Sequence, residues 1–392
     1  TAKGNAKTVW KRQQMGGETA IPLREGPVEA WSPEPDEQPD VVVRGLVRRQ
    51  DGFWGVTLFL VNEQHEPEHN RDQAWVFQPE LSVEAAGQAP VFRHRDTHRL
   101  SRQTGEEQAM SMLYRRHVSF AIGHGVGIHA EMLPGDPTRA LRLATSVVPG
   151  YDVPRTEAPT TGELPGLTGL VLDMKELAET PAEQLAAKLT ALVTAYERWI
   201  AEQEASIDNP AGGLADYRSA AEQAMTACRA ALGRISEGIS LLTRSEQAAS
   251  AFSFMNRAMW QQRVHTLLSE ARRREQPLTY NEIDRPENRS WRPFQLAFIL
   301  LNLPALTDLH HPDRSASSSA VADLLWFPTG GGKTEAYLGL TAYTLAMRRL
   351  QGTVAGRSGE EGVAVIMRYT LRLLTLQQFQ RAAALICACE LI

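Results

Sequence analysis

Asp323-Leu-Leu-Trp-Phe-Pro-Thr-Gly-Gly-Gly-Lys-Thr-Glu-Ala-Tyr-Leu-Gly-Leu340 reads as a short apolar strand, a glycine loop and the start of a helix. Val321 to Phe327 carries a single charge, Asp323. Pro328 ends the run, because proline cannot donate to a sheet ladder. Gly330, Gly331 and Gly332 permit a tight turn whose N–H groups point inward. With the N-terminus of the helix from Thr334, they make a nest for phosphate oxygens. Lys333 is placed to reach the β- and γ-phosphates of ATP, and the Thr334 hydroxyl to ligate Mg²⁺. These two are the catalytic candidates. Thr329 and Glu335 flank them and complete the nucleotide-binding set of the loop. One position departs from the strict phosphate-loop pattern, which has Gly where this chain has Phe327.

Composition sets the frame around that loop. The chain has 392 residues, 43% of them hydrophobic, which is enough for two or three domains with their own cores. Net charge is −5, so no global positive field announces nucleic acid, and any such contact must be local. The three cysteines, Cys228, Cys387 and Cys389, lack metal-site spacing. So few thiols in a long chain suit a reducing cytoplasm. No run approaches the ~20 apolar residues of a membrane span.

Residues 1–38 mix Gly, Pro, Gln and charge without a period and read as an extended arm. A β-rich region is expected over 39–165. Val41 to Gln50 alternates, Asp51-Gly52 is a hairpin signal, Phe53 to Val61 returns, and Gln73 to Val83 reads as a third strand. The basic segment Phe92 to Arg102 reads as a solvated loop or edge strand. Glu106 to Arg116 is helical in character. His124 and His129 sit in a glycine turn with nothing to complete a metal site. Ala140 to Val148 is a further strand, and Pro149 to Pro165 a linker.

A helical region is expected over 166–285. Leu185, Leu189, Leu192, Tyr196 and Ile200 share one helix face. Met225, Cys228, Leu232, Ile235, Ile239 and Leu242 make a heptad seam, so two helices should pack as an antiparallel pair. Gly233 and Gly238 interrupt that helix at a cost in propensity. Ser245 to Arg274 is a third helix.

The last region, 286–392, is read as part of an α/β lobe. Trp291-Arg-Pro-Phe-Gln295 opens a helix with Pro293 in its first turn. Thr334 to Leu350 is the helix after the loop. Gly362 to Met367 reads as a second strand, buried on both faces. Arg368-Tyr-Thr-Leu-Arg-Leu-Leu-Thr-Leu-Gln-Gln378 leads from it into another helix. Arg368, Thr370 and Arg372 are suitable types for phosphate contacts at such a junction.

These motifs resemble those of superfamily 2 helicases. In that family a glutamine ahead of the phosphate loop reads the adenine edge. Gln295, in its Arg292-x-x-Gln295 setting, stands in the matching place, 38 residues before Lys333. The element from Arg368 is similar to helicase motif Ia, which contacts the sugar-phosphate backbone. Here an extra Leu371 separates Thr370 from Arg372. The Phe-Pro-Thr-Gly-Gly-Gly-Lys-Thr-Glu-Ala-Tyr run, with Leu113 to Gly125 and Phe254 to Met259, resembles the helicase subunit of the bacterial DISARM anti-phage systems. The resemblance implies an ATP-dependent DNA helicase or translocase, acting on single-stranded DNA or on duplex with a single-stranded end. It also implies a DISARM partner subunit, DrmB-like in carrying a domain of unknown function.

The fold expected is therefore mixed. An N-terminal antiparallel β-rich region is followed by a helical bundle and the start of a RecA-like P-loop ATPase lobe. The chain reaches Ile392 before the Asp-Glu box (Walker B) and second lobe of such a motor. It reads as the N-terminal part of a larger cytoplasmic protein, inactive as an ATPase by itself. A nucleotide-gated scaffold that recruits partners without translocating is the alternative, suited by the heptad seam and the acidic balance.

Overall fold

The computed structural model describes residues 12–392 apart from 51, 96–103, 149, 151–156, 158, 161, 316–317, 319, 328–331 and 369–371. It also leaves out the side chains at 50, 88 and 372–375. Two units emerge. The first takes the described residues of Thr1–Thr97 and Arg116–Asp152, the second those of His98–Arg115 and Val153–Ile392.

The first unit carries two antiparallel sheets. One has the order β1 (Gly26–Trp31), β2 (Val41–Gln50), β3 (Phe53–Asn62). Its β2–β3 register runs from Val41 opposite Asn62 to Gln50 opposite Phe53, so the two strands pair up to the residues on either side of the Asp-Gly signal, of which Asp51 lies outside the described residues. Gly52 has φ 82°, a conformation that glycine adopts without steric cost. Val41, Val43 and Val47 share one face by the two-residue period, and all three are buried. β1 lies within the extended arm expected over 1–38. It pairs with the edge of β2, placing Val28 opposite Gly45.

The second sheet is centred on β7 (Asp136–Ser146), which pairs with β4 (Ser82–Glu84), β5 (Phe92–Arg93) and β6 (Gly127–Leu133). The strand expected over Gln73 to Val83 is corrected here. Arg71–Ala74 is a 3₁₀ turn, and the short strand that follows joins β7 rather than β3. Pro79 has no N–H for a ladder, and Gln78 before it has φ 51°, which no strand accommodates.

The second unit is helical. It comprises α1 (Gly105–Leu113), α2 (Met174–Glu179), α3 (Ala182–Ile207), α4 (Arg218–Arg244), α5 (Glu246–Arg273), α6 (Tyr280–Ile283) and α7 (Pro293–Thr307). After these come α8 (Pro312–Ser315), α9 (Lys333–Gln351), a small hairpin of β8 (Thr353–Val354) and β9 (Arg357–Ser358), and α10 (Arg372–Glu390). Thr104 and Glu107 form a capping box at the start of α1. Met112 of α1 packs with Leu214, Ala220 and Ala221, and Arg115 Nε donates to the Gly212 carbonyl at 2.9 Å. The expected helix after Glu106 thus joins the helical unit, although the sequence placed it within the β-rich region.

One hydrophobic core runs from Leu167 to Leu385. Leu185, Leu189 and Leu192 of α3 meet Ile235, Ile239 and Leu242 of α4 in it, and Phe252, Met255 and Met259 of α5 are fully buried at its centre. The same core continues through Trp291, Leu296 and Ile299 to Leu338, Tyr343 and Met347 of α9. No break in it marks the division expected between 285 and 286. Gly238 lies where α4 crosses α7. A Cβ there would fall 2.0 Å from the Leu300 carbonyl oxygen, so only a glycine permits this approach.

The two strands expected in the last region do not form ladders among the described residues. Val321 to Phe327 and Val363 to Met367 carry no strand pairing, and Leu324 (84% exposed), Trp326 (79%) and Ile366 (86%) face solvent. A strand's hydrogen bonds come from its neighbours, and these two segments do not pair with each other. The helices that should flank such strands, α9 and α10, are nevertheless formed and packed on α5. No helix among the described residues is long and apolar enough to cross a membrane.

Candidate functional site

The site is built on the first turn of α9. Lys333 opens that helix, and Gly332 caps it with φ 86° and ψ 28° and without a side-chain hydrogen bond. The first N–H groups of a helix have no partner within it, and the helix dipole adds partial positive charge there. Lys333 and Thr334 both lie in this turn, with Glu335 next to them. Thr329, Gly330 and Gly331 lie outside the described residues.

Three contacts hold what is described of the loop. Lys333 Nζ donates to the carbonyl of Phe327, drawing the two ends of the loop together. The Phe327 ring stacks on Phe294 of α7, with centroids 4.2 Å apart and planes 9° apart. The bulky residue at the usual glycine position therefore has a packing partner. From α7 as well, Gln295 Nε2 donates to the Gly332 carbonyl at 2.7 Å, while its Oε1 accepts the Arg292 N–H at 2.7 Å. Gln295 is 4% exposed. Arg292, expected beside the nucleotide, is the N-cap of α7 and is exposed.

Glu335 is held from the far side. One carboxylate oxygen, Oε1, pairs with Arg381 of α10. The other, Oε2, is buried and accepts no hydrogen bond from the described residues. The expected nucleic-acid contacts are less defined. Arg368 is exposed just beyond Met367. Thr370 lies outside the described residues. Arg372 opens α10, its side chain likewise outside the description.

Behind the loop the supports are buried. Trp291 Nε1 donates to Asn256 Oδ1 of α5 at 2.7 Å, and both residues are inaccessible to solvent. Arg289 pairs with Asp173 at 2.9 Å and also with Asp284; the Asp173 hydrogen bond is the larger cause of its raised pKa. The Trp291 N–H donates to the Leu172 carbonyl at 2.8 Å, so the chain entering α7 is tied to the segment before α2. The Tyr343 hydroxyl of α9, 2.6 Å from Thr307 Oγ1 of α7, is pushed up to about 12 by burial.

This donor set suits a nucleotide polyphosphate. It offers backbone N–H groups without a side-chain cap, one lysine and one hydroxyl. Mg²⁺ characteristically keeps waters and takes few protein ligands beside phosphate oxygens. Thr334 is the candidate among those ligands, and no group of three His, Cys, Asp or Glu that could hold a metal ion occurs among the described residues. Three participants escaped the sequence reading: Phe294, Arg381 and Asn256. Phe294 was visible as the neighbour of Gln295. The others come from distant helices, and no local pattern marks them.

No family model matches the chain. It is 35% identical over 388 residues to the DISARM protein DrmA of Bacillus paralicheniformis. The match covers 97% of this chain and 32% of the relative, so the chain spans about a third of that protein's length. The resemblance to DrmA thus extends over nearly the whole chain, including the strands and helices before the glycine loop.

Proposed function

We propose that this chain is part of an ATP-dependent superfamily 2 DNA helicase or translocase that serves in DISARM-type anti-phage defence. The observation that carries the reading is the start of α9. Lys333 and Thr334 stand there at a helix N-terminus without a side-chain cap, with Gln295 holding the Gly332 carbonyl and Phe294 stacked on Phe327. The similarity to DrmA supports the defence context.

In this reading the N–H groups of the loop and of the first α9 turn bind the phosphates. Lys333 exchanges the Phe327 carbonyl for phosphate oxygens, where its charge stabilises the transferring group. Thr334 contributes one ligand to Mg²⁺, which would polarise the terminal phosphate. Arg368, Thr370 and Arg372 are placed at the DNA backbone. Glu335 and Arg381 join the first turn of α9 to α10, so a change at the phosphates has a direct route to the helix that follows the DNA contacts. A DrmB-like subunit is the expected partner and the cytoplasm the expected location. The RecA-like lobe is the fold proposed for the last region.

The scaffold alternative drew on the heptad seam as a partner surface. Ile235, Ile239 and Leu242 are buried against the protein's own core, while Met225, Cys228 and Leu232 of the same seam are half-buried.

The test is ATP binding and hydrolysis by the isolated protein, with and without single-stranded DNA, beside Lys333→Ala. Binding lost in the variant is expected. DNA-stimulated turnover that falls with it would establish the motor. Equal nucleotide affinity in parent and variant would overturn the reading.

A further inference from the structure

We infer that the free edge of β3 is a self-association surface, to which a second copy of this chain adds its own β3, antiparallel and centred on Val56. Nucleotide binding plays no part in it.

The ladder shows which groups the edge offers. The Glu63 N–H donates to the Asp40 carbonyl at 2.8 Å, in continuation of the β2–β3 register. Bonded and non-bonded pairs alternate along an antiparallel ladder. The odd-numbered residues of β3 therefore bond to β2, and the N–H and C=O groups of Trp54, Val56 and Leu58 point the other way. β3 ends its sheet, and those groups have no partner among the described residues.

Edge strands are ordinarily blunted by charge, proline, a bulge or shortness. The opposite edge of this sheet has three of these: β1 carries Pro27 and Glu29 and shifts register between Val28 and Trp31. In the second sheet β4 and β5 are very short, and the register of β6 shifts. β3 has no such device. Phe53-Trp-Gly-Val-Thr-Leu-Phe-Leu-Val-Asn62 contains neither charge nor proline and runs against β2 without a shift. Its large apolar side chains stand in solvent: Phe59 is 52% exposed, Phe53 49% although Arg93 covers one side of its ring, and Trp54 and Val56 are exposed as well.

The occupant is a second copy because the edge complements itself. With Val56 opposite the partner's Val56, the outward groups of Trp54 meet those of the partner's Leu58. Every outward N–H then faces an outward C=O. On one sheet face Phe53 lies opposite the partner's Phe59, in a non-bonded pair, where side chains come closest. On the other face Trp54 lies opposite the partner's Leu58. Two-fold symmetry repeats each contact, and no like charges oppose one another within the strand pair. One strand pair covers less than the ~1,200 Å² of a stable complex, so a dissociation constant of about 10–100 µM is expected.

Sedimentation velocity of the chain across that range, at low and high salt, tests this beside Val56→Lys and Val56→Pro, with a melting curve for each. Lysine sets two charges against each other on the two-fold axis. Proline removes a donor that β2 does not use. The parent is expected to dimerise to the same extent at both salt concentrations, and each folded variant to bind itself at least tenfold more weakly. Val56→Cys should oxidise to a disulfide-linked dimer, since bonded pairs hold their Cα atoms about 5.5 Å apart. Phe59→Cys should not, because its two copies lie about 20 Å apart along the strands. A parent that stays monomeric at about 500 µM overturns the inference. So does a dimer that survives in the folded Lys and Pro variants, or equal cross-linking through residues 56 and 59. Slow amide exchange at Val56 and Leu58 in a monomer would show that the edge is covered by something other than a second copy, and overturns it too.

Discussion

Arg234 of α4 grips Asp323, just ahead of the glycine loop, with two parallel hydrogen bonds of 2.6 and 2.8 Å. Its Nε also lies 2.8 Å from Asp313 Oδ2, as an ion pair rather than an aligned hydrogen bond. The Asp323 bond is the largest cause of the raised Arg234 pKa. Each side chain of the Asp323 pair is 20% exposed, so water screens the pair only in part. Fork-to-fork geometry fixes direction as well as energy. Arg234→Ala should cost about 1–2 kcal/mol in a denaturant titration. A double-mutant cycle with Asp323→Ala should return a coupling of about 1 kcal/mol. Strict additivity would show that α4 does not hold this segment.

Gly238 and Gly233, only five residues apart on α4, should respond to alanine with opposite signs. At Gly238 the new methyl would meet the Leu300 carbonyl oxygen at 2.0 Å, and the atom in the way is backbone. Overpacking of this kind typically costs 1–3 kcal/mol, so about 2 kcal/mol or more of stability should be lost. At Gly233 nothing lies within 4 Å. There Ala should stabilise by up to about 1 kcal/mol through helix propensity alone. Thermal melts of the two variants decide it; a shift of the same sign in both would contradict the α4–α7 crossing.

The same pair of glycines shows what was legible in the sequence. Periodicity revealed that α4 is a helix with a buried seam, because Ile235, Ile239 and Leu242 recur at helical spacing. It carried no record of the neighbour that makes Gly238 obligatory, since α7 lies some sixty residues further on. The hairpin at 51–52 was readable because its signal is local. The strand Gly26–Trp31 was not, since it exists by pairing with β2 rather than by its own pattern. At the site, Lys333 and Thr334 at the start of α9 follow directly from the loop motif. The partner of Phe327 and the hold of Gln295 on Gly332 depend on how α7 lies, which the motif does not specify.

Asn256 and Trp291 form the buried polar contact on which the entry into α7 rests. Asn256 Nδ2 in turn donates to the Phe252 carbonyl at 2.9 Å, so the side chain is satisfied at both ends. Asn256→Leu would leave the indole N–H buried without its acceptor. An orphaned buried donor costs about 1–3 kcal/mol, and the change of shape adds to it. Removing both partners should cost less than the sum of the two single changes, since Trp291→Phe takes the donor away as well. Urea titration of the two single variants and the double variant measures this. A double variant as unstable as the sum of the singles would mean that the hydrogen bond contributes nothing.

The three cysteines should be distinguishable by thiol labelling. Burial pushes the Cys389 thiol up to about 11, with Glu390 adding to the shift and Arg349 opposing it. The thiolate is the reacting form, so at pH 8 roughly one in a thousand Cys389 side chains is reactive. Its labelling rate should climb about tenfold per pH unit from 8 to 10. Cys387, two residues away on α10, is exposed, and Cys228 is half-buried beside Tyr196. Iodoacetamide at pH 8, read by peptide mass spectrometry, should therefore modify Cys387 first and Cys389 far more slowly. The opposite order would mean that α10 turns its other face to the core, and that Arg381 does not meet Glu335.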